Sequence, residues 1–173
     1  MILHLIRHPK PLIEPGICYG QHDVAAENPA LAAAVLRDKI PTGVPLWSSP
    51  LQRCRALAEL LHPSPRFDPR LMEMSFGDWE GRPWDSICRS ALDAWAADVF
   101  NFAPPAGESA AQVMARVERF LREQEADELV LLTHAGVIRL LLACARQQAL
   151  DVWLNYPIPF GSVMRLQLHD PGC

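Results

Sequence analysis

The sequence predicts an α/β fold, a single domain over residues 1–173 in which a mainly parallel sheet lies between two helical layers, α/β/α. Three observations predict it. Short aliphatic runs alternate along the chain with longer segments of helical spacing, the pattern of parallel strands joined by helices. One run, Leu129 to Leu132, is aliphatic without a break and bounded by charge, as suits a strand buried on both faces. Finally, 173 residues, 50% of them apolar and 21% charged, are ordinary globular composition with room for one sizeable core.

Each element follows in order. Ile2 to Ile6 is a short apolar run, interrupted by His4 and halted by proline, and predicts a buried strand that delivers Arg7 and His8 at its C-terminal end. Asn28 to Asp38, rich in Ala and Leu with Pro29 in a first-turn position, predicts a helix. Val44 to Trp47 predicts a second strand. Ser48-Ser49-Pro50 then marks the start of a helix over Leu51 to Leu61, because serine before a first-turn proline is a start signal. Ser75 to Phe102 is mixed, with Trp79, Trp84 and Trp95 inside a helical excursion. Pro104-Pro105-Ala-Gly107-Glu108-Ser109 makes a turn and cap into a helix over Ala110 to Glu123, whose Val113, Val117, Phe120 and Leu121 recur at helical spacing. The Leu129 to Leu132 strand ends at Thr133-His134-Ala135-Gly136 and passes into a helix over Val137 to Arg146. Val163 to Leu168 alternates, as a last, edge strand does.

Composition narrows the partners. With 16 Lys+Arg against 20 Asp+Glu the formal net charge is −4, so no global basic field draws in nucleic acid or an anionic membrane surface. Any anion must be held by a local pocket of arginines. Met1 to Ile6 is too short for a signal-peptide core and no run is long enough to span a bilayer, so the chain reads as soluble and cytoplasmic. The five cysteines, Cys18, Cys54, Cys88, Cys144 and Cys173, are odd in number and scattered, with no C-x-x-C pair. They read as reduced, mostly buried thiols, with neither a disulfide framework nor a zinc site. His4 and His8 lie four apart, a metal-pair spacing on a helix, but the strand reading argues against a metal.

Ligands of open α/β sheets bind outside the carboxyl ends of the strands. This chain places Arg7-His8 at the end of the first strand, Ser48-Ser49 at the end of the second with Arg53 one turn into the next helix, and His134 at the end of the Leu129 strand. A lone histidine at a strand end is more often structural, and Arg53 or the loop carboxylate Glu73 alone reads as solvated surface. Together they are chemically coherent. Arginine forks match a phosphoryl group, and the helix N-termini after Pro50 and His134 add backbone N–H donors. A neutral imidazole beside guanidinium charge is a competent nucleophile toward phosphorus. A carboxyl facing a bound phosphate dianion keeps its proton more readily, which suits it to donate to a leaving alkoxide.

Leu5-Ile-Arg7-His8, Ser48-Ser49-Pro-Leu-Gln-Arg53, Leu71-x-Glu73-x-x-Phe76-Gly77-x-Trp79-Glu80-Gly81, Gly107-Glu108-Ser109 and Thr133-His134-x-Gly136-Val-Ile-Arg139 resemble, in order, the motifs of the histidine phosphatase superfamily, which is phosphoglycerate-mutase-like in fold. The resemblance covers nearly the whole chain. Among its branches, the short length and the Glu73 block look most like α-ribazole phosphatase and related small broad-specificity phosphatases. The resemblance implies a covalent mechanism without metal or cofactor. His8 would become phosphohistidine; Arg7, Arg53 and His134 would hold the phosphoryl oxygens; Glu73 would be the general acid and then the base that activates water. Tyr19, Gln21 and the Ala135 backbone would complete the substrate contacts.

One departure stands beside the nucleophile. Where the family usually writes glycine after the histidine, then an amide residue, this chain has Pro9 and Glu14. Pro9 has no N–H to offer, and Gln21 is expected to reach the phosphate in place of the amide. The implied activity is hydrolysis of a small phosphate ester, with α-ribazole 5′-phosphate as a specific candidate. The alternatives are a phosphoglycerate-mutase-type transferase, which generally carries longer insertions that exclude water, and a non-catalytic phosphate-binding domain. The excursion over 80–105, with Trp84, Trp95, Phe100 and Phe102, is expected to roof the pocket together with Leu12, Ile13 and Tyr19; a core role for these aromatics is equally open. A homodimer is left open.

Overall fold

The computed structural model describes residues 1–169. Five strands, β1 (Ile2–Arg7), β2 (Leu46–Ser48), β3 (Arg66–Phe67), β4 (Glu128–Thr133) and β5 (Val163–Gln167), form one sheet in the order β3-β2-β4-β1-β5. The first four are parallel and β5 runs antiparallel on β1. The described residues also form five α-helices, α1 (Pro29–Leu36), α2 (Gln52–Leu61), α3 (Arg89–Ala97), α4 (Ala110–Arg122) and α5 (Ala135–Ala145), of which α1 and α2 pack on one face of the sheet and α4 and α5 on the other. The expected α/β/α architecture is therefore what the chain adopts.

Period-two alternation sorts the strand side chains between two cores. Leu3, Leu5, Leu129 and Leu131 join Val113, Val117 and Phe120 of α4 and Ile138 and Leu141 of α5. Ile6, Val130 and Leu132 face the other way and meet Ala33 and Leu36 of α1 and Cys54 and Leu57 of α2. β4 is buried on both faces, which is why its sequence is an unbroken aliphatic run. A third cluster gathers Cys18, Trp79 and Ile87 with Trp84, Trp95 and Phe102.

Several boundaries move for local reasons. The α2 helix begins at Gln52 with Leu51 at its cap position, not at the Ser-Pro signal, because Asp23 from a distant loop accepts the Gln52 N–H at 2.7 Å. Ser49 Oγ accepts the Leu51 N–H at 3.4 Å, just ahead of the helix, and also meets His134 Nε2 at 2.9 Å. The α5 helix begins at Ala135, two residues earlier than expected, and α1 tightens into a 3₁₀ turn over Arg37–Lys39. β3 carries no legible signal: it is two residues long and pairs only with β2. At α4 the expected cap is present as a reciprocal box, in which Ser109 accepts from the Gln112 N–H and the Gln112 side chain accepts from the Ser109 N–H. Of the cysteines, Cys18 and Cys54 are free and buried, whereas Cys88 is free and exposed; Cys144 is not among the free thiols, a departure from expectation, and Cys173 lies outside the described residues. Among the described residues, no helix is long and apolar enough to cross a membrane.

Candidate active site

Register builds the site. β1 and β4 run side by side with Arg7 opposite Thr133, and the His8 N–H donates to the Thr133 carbonyl at 3.1 Å. β2 lies on the other side of β4 with Ser48 opposite Leu132, and the Ser49 N–H donates to the Leu132 carbonyl at 2.9 Å. The residues after three strand ends, His8, Ser49 and His134, are thus neighbours at the carboxyl edge of the sheet. The two imidazole rings stand 5.0 Å apart.

His8 is buried, and its Nδ1 lies 2.6 Å from the Pro9 carbonyl oxygen. A carbonyl only accepts, so Nδ1 carries the proton and Nε2 presents a lone pair. Burial foremost, then the Arg53 guanidinium, lowers the His8 pKa to about 3. The imidazole is neutral and nucleophilic at neutral pH. Pro9, which cannot donate, serves by accepting.

His134 is fully buried, and burial, with His8 and Arg53 beside it, holds its pKa well below the usual value. Its Nε2 is 2.9 Å from Ser49 Oγ, with Cys54 Sγ at 3.6 Å, while Nδ1 has no hydrogen-bond partner within the protein. If the serine hydroxyl donates to Nε2, Nδ1 bears the hydrogen and is a donor without an acceptor.

The guanidinium of Arg53 is completely buried at the base of α2. It donates to the carbonyls of Gly20 at 2.6 Å and His22 at 3.0 Å. Arg7 donates to the Ile158 carbonyl and lies 3.6 Å from the Phe160 ring centre. Burial lowers the Arg7 pKa, an effect opposed by Tyr19 and Glu73 nearby. Tyr19 lies near Arg7, and its ring lies under Arg53, whose guanidinium carbon is 5.2 Å from the ring centre. The Nε atoms of both arginines are buried without a partner in the protein.

Glu73 sits on a loop that three side chains hold from behind. Its backbone carbonyl accepts from Arg116 at 3.0 Å and from Gln21 at 2.9 Å. Arg116 also grips Glu108 through two nitrogens, at 2.9 and 3.1 Å, and Glu108 accepts the Ser75 N–H at 3.0 Å. The Glu73 carboxylate itself accepts from the Met74 and Gly136 N–H groups at 3.0 and 3.2 Å. A Cβ at Gly136 would overlap Glu73 Oε1, so only glycine lets the carboxylate rest against the first turn of α5.

The structure therefore brings together Arg7, His8, Arg53, His134, Tyr19 and Glu73, with Ala135 opening α5 where first-turn N–H groups have no helical partner. Gln21 is placed otherwise than expected: its amide nitrogen is committed to Glu73 and Glu108, so it braces the loop. Glu14 is exposed and remote from that work. Glu108, read first as a cap, is the hub of the loop network, leaving capping to Ser109. Ser49 and Arg116 carry structural roles that sequence reasoning missed. The Arg116 guanidinium is spent on partners up to 46 residues away, which no local pattern announces. Among the described residues, no group of three or more His, Cys, Asp or Glu side chains is arranged to hold a metal ion.

Two neutral histidines beside the buried Arg53 and the half-buried Arg7, at the carboxyl edge of a mainly parallel sheet, form a site suited to phosphoryl groups. The chain belongs to the histidine phosphatase superfamily, branch 1, whose family model matches residues 3–173. It is 37% identical over 82 residues, 43% of this chain and 41% of the relative, to adenosylcobalamin/α-ribazole phosphatase of Salmonella typhimurium. The chain thus spans about two-fifths of that relative's length. Among solved structures it is similar to TTHB049 of Thermus thermophilus, with a TM-score of 0.80 and 33% identity over 96% of this chain and 94% of the other. It is also similar to a phosphoglycerate mutase of the same organism, with a TM-score of 0.78 and 33% identity over 97% and 99%.

Proposed function

We propose that this protein is a phosphomonoesterase that works through a phosphohistidine on His8. One observation carries the reading: around a neutral imidazole with its Nε2 lone pair exposed to the site, the buried Nε atoms of Arg7 and Arg53 and the Nδ1 of His134 have no partner in the protein. Buried donors are almost always satisfied, and a phosphoryl oxygen is what this set would satisfy.

In this mechanism His8 Nε2 attacks phosphorus and the ester P–O bond breaks. Glu73 gives its proton to the departing oxygen, and the released alcohol leaves. Water then attacks the phosphohistidine, losing a proton to Glu73, and the P–N bond breaks to free inorganic phosphate and neutral His8. The arginines offset the charge on the equatorial oxygens, the task a metal performs elsewhere, so the reaction is proposed to need none. The described sheet and helices are proposed to work as one domain, with residues 80–105 as its roof. The specific ester proposed is α-ribazole 5′-phosphate, supported by the likeness to the Salmonella enzyme.

A second reading, phosphoryl transfer of the mutase type, is supported by the likeness to the Thermus mutase. The two separate on incubation of the protein with p-nitrophenyl phosphate, α-ribazole 5′-phosphate and 3-phosphoglycerate, with and without EDTA. Hydrolysis that EDTA leaves intact, with acid-labile, alkali-stable label on His8, is the expected result. Mutase activity without hydrolysis would favour the second reading, and label surviving in His8→Ala protein would remove the assignment.

A further inference from the structure

Arg7 is gripped by one short stretch of chain, Ile158 to Ser162. The Arg7 N–H donates to the Ser162 carbonyl at 3.0 Å, and the Gly161 N–H, shared between two acceptors, donates to the Arg7 and His8 carbonyls at 3.2 and 3.1 Å. Gly161 has a φ of 66°, in the left-handed region that glycine enters without strain. These bonds fix Phe160 against the Arg7 side chain. One terminal nitrogen of the guanidinium donates to the Ile158 carbonyl, and the guanidinium carbon stands 3.6 Å from the centre of the Phe160 ring. The same ring flanks His8, with 5.6 Å between centres, and keeps 41% of its surface exposed.

A guanidinium donates only in its own plane, so the orientation of that plane decides where an oxygen can bind. An aromatic face attracts a cation laid over it, and at 3.6 Å the two groups are in stacking contact. With one face covered by Phe160 and one end held by Ile158, the Arg7 Nε is left buried and without a partner in the protein. We propose that Phe160 is a positioning residue for Arg7: its ring sets the plane of the guanidinium so that the Nε–H edge meets a phosphoryl oxygen. The proposal rests on the phosphatase reading for the identity of that oxygen. An aliphatic side chain of similar bulk would cover Arg7 without attracting its charge, so the role requires the ring face and not the volume. Arg7 serves the phosphoryl group and not the departing alcohol, so Phe160 matters equally for every ester.

Three measurements test this. Titration calorimetry with inorganic phosphate is expected to show binding about 5- to 10-fold weaker in Phe160→Leu protein than in wild type, and kcat/KM should fall by the same factor on p-nitrophenyl phosphate and on an alkyl phosphate. Mono-, di- and trifluorophenylalanine incorporated at position 160 weaken the ring face at nearly constant shape, and phosphate affinity should fall step by step toward the Phe160→Leu value. In proton–nitrogen-15 spectra the Arg7 Nε–H should resonate upfield, shielded by the ring, and move downfield in Phe160→Leu protein. A flat fluorination series, unequal losses on the two esters, or an Arg7 resonance that the substitution leaves in place would overturn the role. Wild-type protein that binds no phosphate and leaves p-nitrophenyl phosphate intact would instead remove the phosphatase reading, while the Arg7 resonance would still report whether Phe160 holds the guanidinium.

Discussion

The Nδ1 atom of His8 and the carbonyl oxygen of Pro9 are 2.6 Å apart, so the residue after the nucleophile sets the tautomer of the nucleophile. Every amino acid brings that carbonyl. Pro9→Gly is therefore expected to keep kcat within about threefold, while the freer unfolded chain lowers stability by about 1 kcal/mol. Steady-state kinetics and urea denaturation check both halves.

Stability should fall with acid in a defined window. Burial, then Arg53, holds the His8 pKa at about 3, and burial holds that of His134 well below its usual value. Both sites take up a proton in the unfolded chain at about pH 6.5, long before they do so when folded, so between these limits the unfolded state binds more protons. Stability therefore rises with pH through the window and levels off above it, each histidine adding a slope of up to about 1.4 kcal/mol per pH unit. Urea midpoints should be flat above about pH 7 and drop steeply below about pH 6, with the drop shallower in His8→Gln protein. A pH-independent midpoint would refute the buried neutral pair.

Ser49→Ala removes the partner of His134 Nε2 at 2.9 Å. With the tautomer no longer held, kcat should fall about 10-fold with little change in KM, the equivalent of one hydrogen bond. Nitrogen-15 spectra of His134 should show the tautomer mixture. An unchanged spectrum would mean that Ser49 does not position this ring.

Gly136→Ala places a methyl group where Glu73 Oε1 rests. The carboxyl must swing away, and hydrolysis of an alkyl phosphate should drop about 100-fold, as for loss of a general acid. Nitrophenolate hardly needs a proton to leave, so p-nitrophenyl phosphate should lose less than about 5-fold. Glu73→Gln should give the same split, and equal losses on both esters would deny Glu73 the acid role.

Arg116→Met deletes bonds to Glu108, to the Arg70 carbonyl and to the Glu73 carbonyl, leaving Glu108 without its counter-charge. A cost of about 2–3 kcal/mol in unfolding free energy is expected, with a larger kcat loss on alkyl than on nitrophenyl esters because the Glu73 loop loosens. Thermal unfolding and the ester ratio provide the measurements.

What the sequence made legible was set by the range of the forces involved. β4 could be read because burial on both faces demands an aliphatic run, and α4 because its cap and its apolar stripe are local. Arg7, His8, Arg53 and His134 were legible as strand-end and first-turn residues, where topology alone collects them. Arg116 and Gln21 were not, because their meaning lies in carbonyls of a loop that packs against them only in three dimensions. Ser49 was half legible: its hydroxyl does accept the Leu51 N–H ahead of α2, as a start signal should, but its contact with His134 Nε2 and the capping of Gln52 by the distant Asp23 carboxylate carry no local pattern. β3 is simply too short for a pattern to show.

The seat of β1 between β4 and β5 has a consequence for how the fold is reached. The partners of β1 begin at Glu128 on one side and Val163 on the other. Contacts this distant in sequence fold slowly, since the chain must close long loops before they repay the loss of freedom. Until those strands dock, both edges of β1 are bare, so His8 reaches its place beside His134 only once these long-range pairings have formed.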